Sequence, residues 1–312
     1  MIDIMSLFIC VLTLFLLMLP GIFLRKTRIV GKDELKPINQ LLIYVGNIAL
    51  IISTFIQPFR ADVFKDCLWV LLFSFIAHTL FTVAALLLFR KSERGKRDVR
   101  RFGMVFSNAV FMGLPVITTL INKEAGIYAS FYNVFFQIFV WSVGAYLYTG
   151  DRKYISLKKI IVNPGVIPLI IGLTVYLTGI GGYIPTVVSD ALSYLAGLVF
   201  PISMIIVGMR LADCDFHGIF REKGFFLSAA MRLLLLPAAV WLIMKLLTVA
   251  GLDISRNVMI SVVACSSTPS ASFTVAFAER YNGDGAEASK LVSLTTLLSV
   301  GTMPLIALLL NL

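Results

Sequence analysis

Asn108-Ala-Val-Phe-Met-Gly113-Leu-Pro115-Val116 sits midway along an apolar stretch in the first half of the chain. Ala264-Cys-Ser-Ser-Thr-Pro269-Ser-Ala-Ser272 sits midway along another in the second half. Both stretches otherwise read as membrane helices. Proline lacks a backbone donor and its ring clashes with the preceding turn, so each helix is expected to break at its proline. Broken backbone at membrane depth is tolerated only where it is buried in protein or lines an aqueous cavity. A matched pair of such breaks therefore marks an interior site.

Composition supports the membrane reading. Of 312 residues, 59% are hydrophobic and only 14% charged. The 27 Lys and Arg against 17 Asp and Glu would point to nucleic acid in a soluble protein. Here the basic residues fall between apolar runs, which is membrane topology rather than nucleic-acid binding. Cys10, Cys67, Cys214 and Cys265 show no paired spacing, so neither a zinc site nor a disulfide framework is indicated. The N-terminal run lacks a basic n-region and ends at Arg25, Lys26 and Arg28, so it reads as a first membrane helix, not a cleavable signal.

A bilayer core takes about 20 apolar residues per helix. Ten segments meet that rule, at 4–24, 37–57, 67–89, 102–121, 126–149, 161–179, 186–209, 224–248, 256–278 and 286–311. The expected fold is thus all-α and polytopic, one membrane domain over 1–312. Odd-numbered loops and their flanks hold 21 basic residues, the opposite side five, and Arg232 lies inside the eighth segment. The odd loops are then cytoplasmic and both termini outside.

Ten segments divide into a first repeat at 1–149 and a second at 161–312. Five is odd, so the second repeat enters the membrane inverted. The fourth and ninth segments hold the same place in their halves and run in opposite directions. Pro20-Gly21 and Pro164-Gly165 occur in the first and sixth. A 5+5 inverted repeat is expected. Proline suits the first turn of a helix, so Pro115 and Pro269 are each expected to start a second half-helix near the midplane. Two helix N-termini, each carrying roughly +0.5 charge, would then face each other and favour an anion.

The candidate substrate residues follow. Gly113 permits close backbone approach, and Ser267, Thr268 and Ser270 offer hydroxyls beside Pro269. Asn108 lies about two turns before Pro115 and offers a donor and an acceptor; an interhelical hydrogen bond is its competing reading. Arg232 has no acid at comparable depth, so it suits an anionic substrate, with snorkelling to the cytoplasmic face as the alternative. Asn163-Pro164 reads as a helix cap. Asn47, Asn133 and Gln137 are further interior amides; Asn133 and Gln137, one turn apart, either line the cavity or bond a neighbour, and the bond is the expectation. His78 is the one histidine within a segment. No metal cluster and no catalytic motif is present in the sequence, and general acid–base chemistry lacks its residues.

At these positions the chain resembles the auxin efflux carrier family, in its bacterial malate and malonate branch. The resemblance rests on Asn108-x4-Gly113-Leu-Pro115, Asn163-Pro164, Pro201-Ile-Ser-Met-x3-Gly208-x2-Leu211, the stretch through Pro269, Ala288-Ser289 and Ser299-x4-Pro304. It implies a fold like that of bile-acid sodium symporters, with segments 4 and 9 crossed at their breaks in a bundle that moves against a scaffold. It also implies organic-anion substrates such as malate, malonate or auxin-like acids. Asn108, Pro115 and Pro269 would be crossover residues.

The expectation is a secondary carrier of small carboxylates, working by alternating access in a bacterial inner membrane. It would need the lipid bilayer, no nucleic acid and no cofactor, and a homodimer is compatible with it. The alternatives are sodium-coupled symport of the bile-acid type, using hydroxyls and carbonyls around Ser266–Ser272, and a membrane carboxylate sensor that does not transport.

Overall fold

The computed structural model describes residues 3–31, 34–151, 153, 155, 165–214, 218–219 and 222–311. Among them the chain is helical, with one isolated antiparallel β-bridge. Its helices are α1 (Ile4–Lys26), α2 (Leu35–Phe55), α3 (Ala61–Leu88), α4 (Arg94–Val105), α5 (Ala109–Leu120), α6 (Lys123–Thr149), α7 (Val166–Thr178), α8 (Thr186–Ala212), α9 (Lys223–Val249), α10 (Arg256–Ser267), α11 (Phe273–Arg280) and α12 (Gly285–Leu309). Seven of these, α1, α2, α3, α6, α8, α9 and α12, are long and apolar enough to cross a membrane. Asn163-Pro164 lies outside the described residues.

Two groups of helices stand out by their densest contacts, and α1, α2, α7 and α8 of the first also touch α5, α6 and α12 of the second. α1 lies against α8, and α2 against both α7 and α8. The contact between α1 and α8 depends on two glycines. A Cβ on Gly21 would meet the Ile205 carbonyl oxygen, and one on Gly208 would meet that of Met18. Small residues let the two backbones touch where apolar burial gives no drive in lipid. The remaining helices pack around the crossing of α4–α5 with α10–α11, with α3, α6, α9 and α12 against it. Leu16, Phe23, Leu87, Val187, Leu246 and Leu305 are exposed around the outside, as a lipid-facing surface requires.

The position of the first break departs from the expectation. α4 ends at Val105, and extended backbone begins at Phe106, nine residues before Pro115. Pro115 does not break the helix. Its missing donor is absorbed by a π-helical turn over Ala109–Gly113, in which the Leu114 N–H reaches the Ala109 carbonyl five residues back. Pro237 in α9 is treated the same way, by a π turn over Met231–Leu235. Pro269 does lie in a break. Thr268 is extended, as a residue before proline prefers, yet the next helix starts at Phe273 and not at Pro269.

The two breaks are paired. Ser107 and Ser270 form the antiparallel bridge. The Asn108 N–H donates to the Pro269 carbonyl at 2.8 Å, and the Ala271 N–H to the Phe106 carbonyl at 2.9 Å. Each extended segment thus satisfies the other's backbone inside the protein, which is the condition for non-helical backbone at this depth.

Candidate functional site

A helix leaves its last four carbonyls without intrahelical donors. α4 and α10 both end in the buried crossing, so their carbonyls need partners from elsewhere. In α10 the local hydroxyls serve first. Ser266, Ser267 and Thr268 donate back three residues to the carbonyls of Val263, Ala264 and Cys265 at 3.1, 3.1 and 2.9 Å. Ser270 reaches across to the Gly103 carbonyl of α4 at 2.8 Å, and its N–H donates to Thr295 Oγ1.

Arg232 supplies the rest. It is fully buried. Its Nη1 donates to the carbonyls of Met104 (3.1 Å) and Val105 (3.3 Å) at the end of α4. Its Nε donates to Thr268 (3.2 Å) and its Nη2 to Ser266 (2.5 Å) at the end of α10. The guanidinium also lies 4.7 Å from the Phe81 ring centre. Two helix C-termini, each carrying about half a negative charge, meet one fixed positive charge. The snorkelling alternative is overturned, because the side chain runs into the crossing. Sequence showed no acidic partner because the partners are backbone carbonyls.

The predicted residues therefore divide. Gly113 packs against Cys265 of α10, where a Cβ on the glycine would meet the Cys265 Cα at 3.3 Å, so its close approach is to a helix. Pro115 follows the π turn, and Pro269 holds Asn108 through its carbonyl. Ser267, Thr268 and Ser270 spend their hydroxyl donors on carbonyls. Asn108 differs. It borders a small cavity of about 10 Å³ together with Asn47, Ser107, Asn133 and Gln137, beside Phe136 and Phe273. That volume is close to the room one water needs.

This cavity is unusual in its polarity. Asn133 is fully buried, and neither its Nδ2 nor its Oδ1 finds a hydrogen-bond partner among the described residues. Gln137 Oε1 and Ser107 Oγ, on the same cavity, are likewise buried without a partner among the described residues, and so is Ser272 Oγ, which lies outside the cavity lining. Among the described residues, the expected bond from Asn133 to a neighbour is not formed. Unpaired buried polar groups cost about 1–3 kcal/mol each, so three residues bearing them on one cavity make it a polar site. A π turn adjoins several contributors. Asn47 follows one at Leu42–Gly46, Asn108 precedes that at Ala109–Gly113, and Gln137 lies shortly before that at Val140–Gly144. Such turns often mark functional positions in helices.

Two larger cavities approach from the end of the molecule rich in Lys and Arg. One of about 720 Å³ is bordered by Lys36, Arg210, Glu279 and Lys290. The next, about 400 Å³, shares Lys36 and Glu279 with it and adds Asn39, Ile43, Trp141 and Arg280. Phe273 borders both this second cavity and the amide cavity. Along α2, Asn39, Ile43 and Asn47 step inward in that order.

Apolar spanning helices, interior backbone breaks and a buried amide cluster define a multi-pass membrane protein with a polar site at its centre. The chain belongs to the membrane transport protein family, the auxin efflux carriers, whose profile matches residues 6–307. It is 26% identical over 304 residues to an uncharacterized transporter of Methanothermobacter thermautotrophicus, covering 95% of each chain. It is 24% identical over 302 residues to an uncharacterized transporter of Methanocaldococcus jannaschii, covering 93% of this chain and 94% of that one. Both relatives are archaeal, whereas the bacterial branch was the expectation. The family is one of membrane transporters, not enzymes.

Proposed function

We propose that this chain is a secondary carrier that moves a small organic carboxylate, of the malate, malonate or auxin-like class, across the cytoplasmic membrane by alternating access. In this reading the helices form ten membrane segments in a 5+5 inverted repeat, with α4–α5 and α10–α11 as crossed segments 4 and 9. The group α1, α2, α7 and α8 stays fixed, and the group around the crossing moves. The Lys- and Arg-rich end is cytoplasmic, both termini are outside, and the amide cavity, too small for a carboxylate in the state described, must widen toward the two larger cavities for substrate to enter.

One observation carries the reading: Asn133, Gln137 and Ser107 hold buried polar atoms without a partner among the described residues, on one cavity beside Asn108. Amides and hydroxyls donate to a carboxylate without carrying charge, and the first turns of α5 and α11 add N–H groups at their positive ends. Sodium coupling at the crossing is disfavoured. The carbonyls a sodium ion would use at Ser266 and Thr268 already accept from Arg232.

The test is uptake and counterflow of labelled mono- and dicarboxylates by proteoliposomes. Wild-type protein is expected to exchange at least one of them, and Asn108→Ala and Asn133→Ala to abolish the exchange. Binding without counterflow would favour the sensor, and flux that requires sodium the symporter. Wild-type flux that survives both substitutions refutes the site.

A further inference from the structure

The amide cavity is not the only place built for an anion. Arg210, near the end of α8, borders the 720 Å³ cavity and is 6% exposed. Its Nε has no hydrogen-bond partner among the described residues. Among the described residues its nearest acid is Glu279 of α11, a loose ion pair 3.7 Å from Nη1, beyond hydrogen-bond length and half-exposed. The other acid bordering the cavity, Asp213, is engaged by Arg25, whose Nε meets both its oxygens at 2.8 Å. Lys36, which also borders the cavity, forms no ion pair among the described residues. A buried guanidinium that is neither closely paired nor hydrogen-bonded at Nε is costly to keep. The surplus of positive charge around a cleft this size concentrates anions.

We propose that Arg210 and Lys36 form a second carboxylate site, where the substrate waits at the inner mouth before reaching the amide cavity. This rests on the carrier reading above. The guanidinium fork takes one carboxylate edge-on, and Nε with its neighbouring Nη supplies the two parallel donors that such a contact uses. Lys36 borders both outer cavities, so its ammonium can follow the ligand from the first into the second. Arg210 lies on α8 and Glu279 on α11, so their pair joins the two helix groups. A carboxylate on Arg210 therefore competes with Glu279 and loosens a contact between them. A phospholipid headgroup presents the same anionic chemistry, and the experiment separates the two sources.

Cys214 borders the same cavity and reports on it, while Cys67 and Cys265 are fully buried. In full-length protein carrying Cys10→Ser, in zwitterionic nanodiscs, Cys214 is labelled with thiosulfonates bearing a sulfonate or a trimethylammonium group. The sulfonate reagent is expected to react roughly threefold faster, because Arg210 and Lys36 exceed Glu279 by one positive charge within several ångströms in screened water. Malonate is expected to slow it saturably. Arg210→Gln removes both effects, and Arg210→Lys keeps the charge preference while weakening malonate protection. If Arg210→Gln does not fold, Lys36→Gln must reduce both effects. Equal rates for the two reagents, or no protection by millimolar malonate, overturn the proposal. So does protection by phosphatidylglycerol in the disc with none by malonate, which assigns the site to lipid. Carboxylate flux that persists without malonate protection overturns this site alone. Protection without flux overturns the carrier and leaves the site standing.

Discussion

Replacing Arg232 by methionine keeps most of the side-chain volume and removes every donor to the crossing. Four carbonyls lose their guanidinium partner: Met104, Val105, Ser266 and Thr268. At about 1–3 kcal/mol for each unsatisfied buried group, the upper bound is about 12 kcal/mol. Two effects lower it. Water can enter, and the desolvation cost of the guanidinium itself is relieved. Breaking a buried charged arrangement on one side costs about 3–5 kcal/mol in practice, and that is the expected loss. Arg232→Lys offers one nitrogen where the fork offers three, so it recovers only part. The measurement is thermal melting in detergent, followed by size-exclusion chromatography. Arg232→Ala supplies a sharper test, since it opens a hole lined by carbonyls. Low millimolar guanidinium is expected to raise its melting temperature and to leave the wild type unchanged. If Arg232→Met melts with the wild type, or guanidinium fails to rescue Arg232→Ala, the carbonyl-clamp account is wrong.

Other perturbations separate structural from ligand-facing polarity. Asn133→Ala removes no side-chain hydrogen bond found among the described residues, so the melting temperature is expected to hold or rise slightly while carboxylate exchange is lost. A fall in stability would show a structural amide instead. Gly208→Val places a Cβ against the Met18 carbonyl, which is backbone and cannot yield cheaply; overpacking of this kind costs about 1–3 kcal/mol or more. Yield of monodisperse protein should drop, whereas Gly197→Ala on the same helix, with open space around it, should not change it. At the basic end, Glu222 accepts from Lys96 at 2.6 Å and pairs with Arg100. The hydrogen bond from Lys96, then that from Arg100, holds the Glu222 carboxyl below its usual range. A depressed pKa gives stability that is present above the unfolded value and lost as pH falls through the folded one. Melting temperature should therefore fall on acidification below the ordinary glutamate range, and Glu222→Gln should flatten that dependence.

The parts of the fold legible in the sequence are those set locally. Apolar length gives the spanning helices, and Thr268-Pro269 gives a break because proline constrains its predecessor. The first break lies away from its expected place because it is set non-locally. Phe106–Asn108 contains no proline, and it leaves the helix to pair with Pro269 and Ala271 across the bundle. Pro115, which marks the stretch in the sequence, is accommodated by a π turn. The serine and threonine cluster is legible as polar but not in its role. Back-bonding to the third preceding carbonyl is a local habit of these residues, and it withdraws their donors from any ligand. Arg232 could not be assigned from side-chain inventory, since its partners are carbonyls from two distant helices. Asn133 and Gln137 are visible as interior amides. Only packing shows that no described residue bonds the Asn133 side chain in place.

Charge accounting at the crossing leads to a prediction about transport itself. The positive charge that balances the C-termini of α4 and α10 belongs to the chain and stays with it. Arg232 sits in α9, which packs on α10 and α12, so in the proposed carrier it would travel with the crossing in the loaded and the empty bundle alike. Its charge cancels over a cycle. If no cation accompanies the substrate, the net charge moved per cycle is that of the carboxylate. A membrane potential of 100 mV acts on one elementary charge with about 2.3 kcal/mol. That corresponds to roughly a fiftyfold bias in the accumulation ratio of a monoanion, and its square for a dianion. Proteoliposomes clamped by potassium gradients and valinomycin measure this directly. An accumulation ratio that scales with substrate valence supports a fixed internal cation as the only counter-charge. A ratio indifferent to potential means that a free cation moves too, and that the carbonyls held by Arg232 are not where it binds.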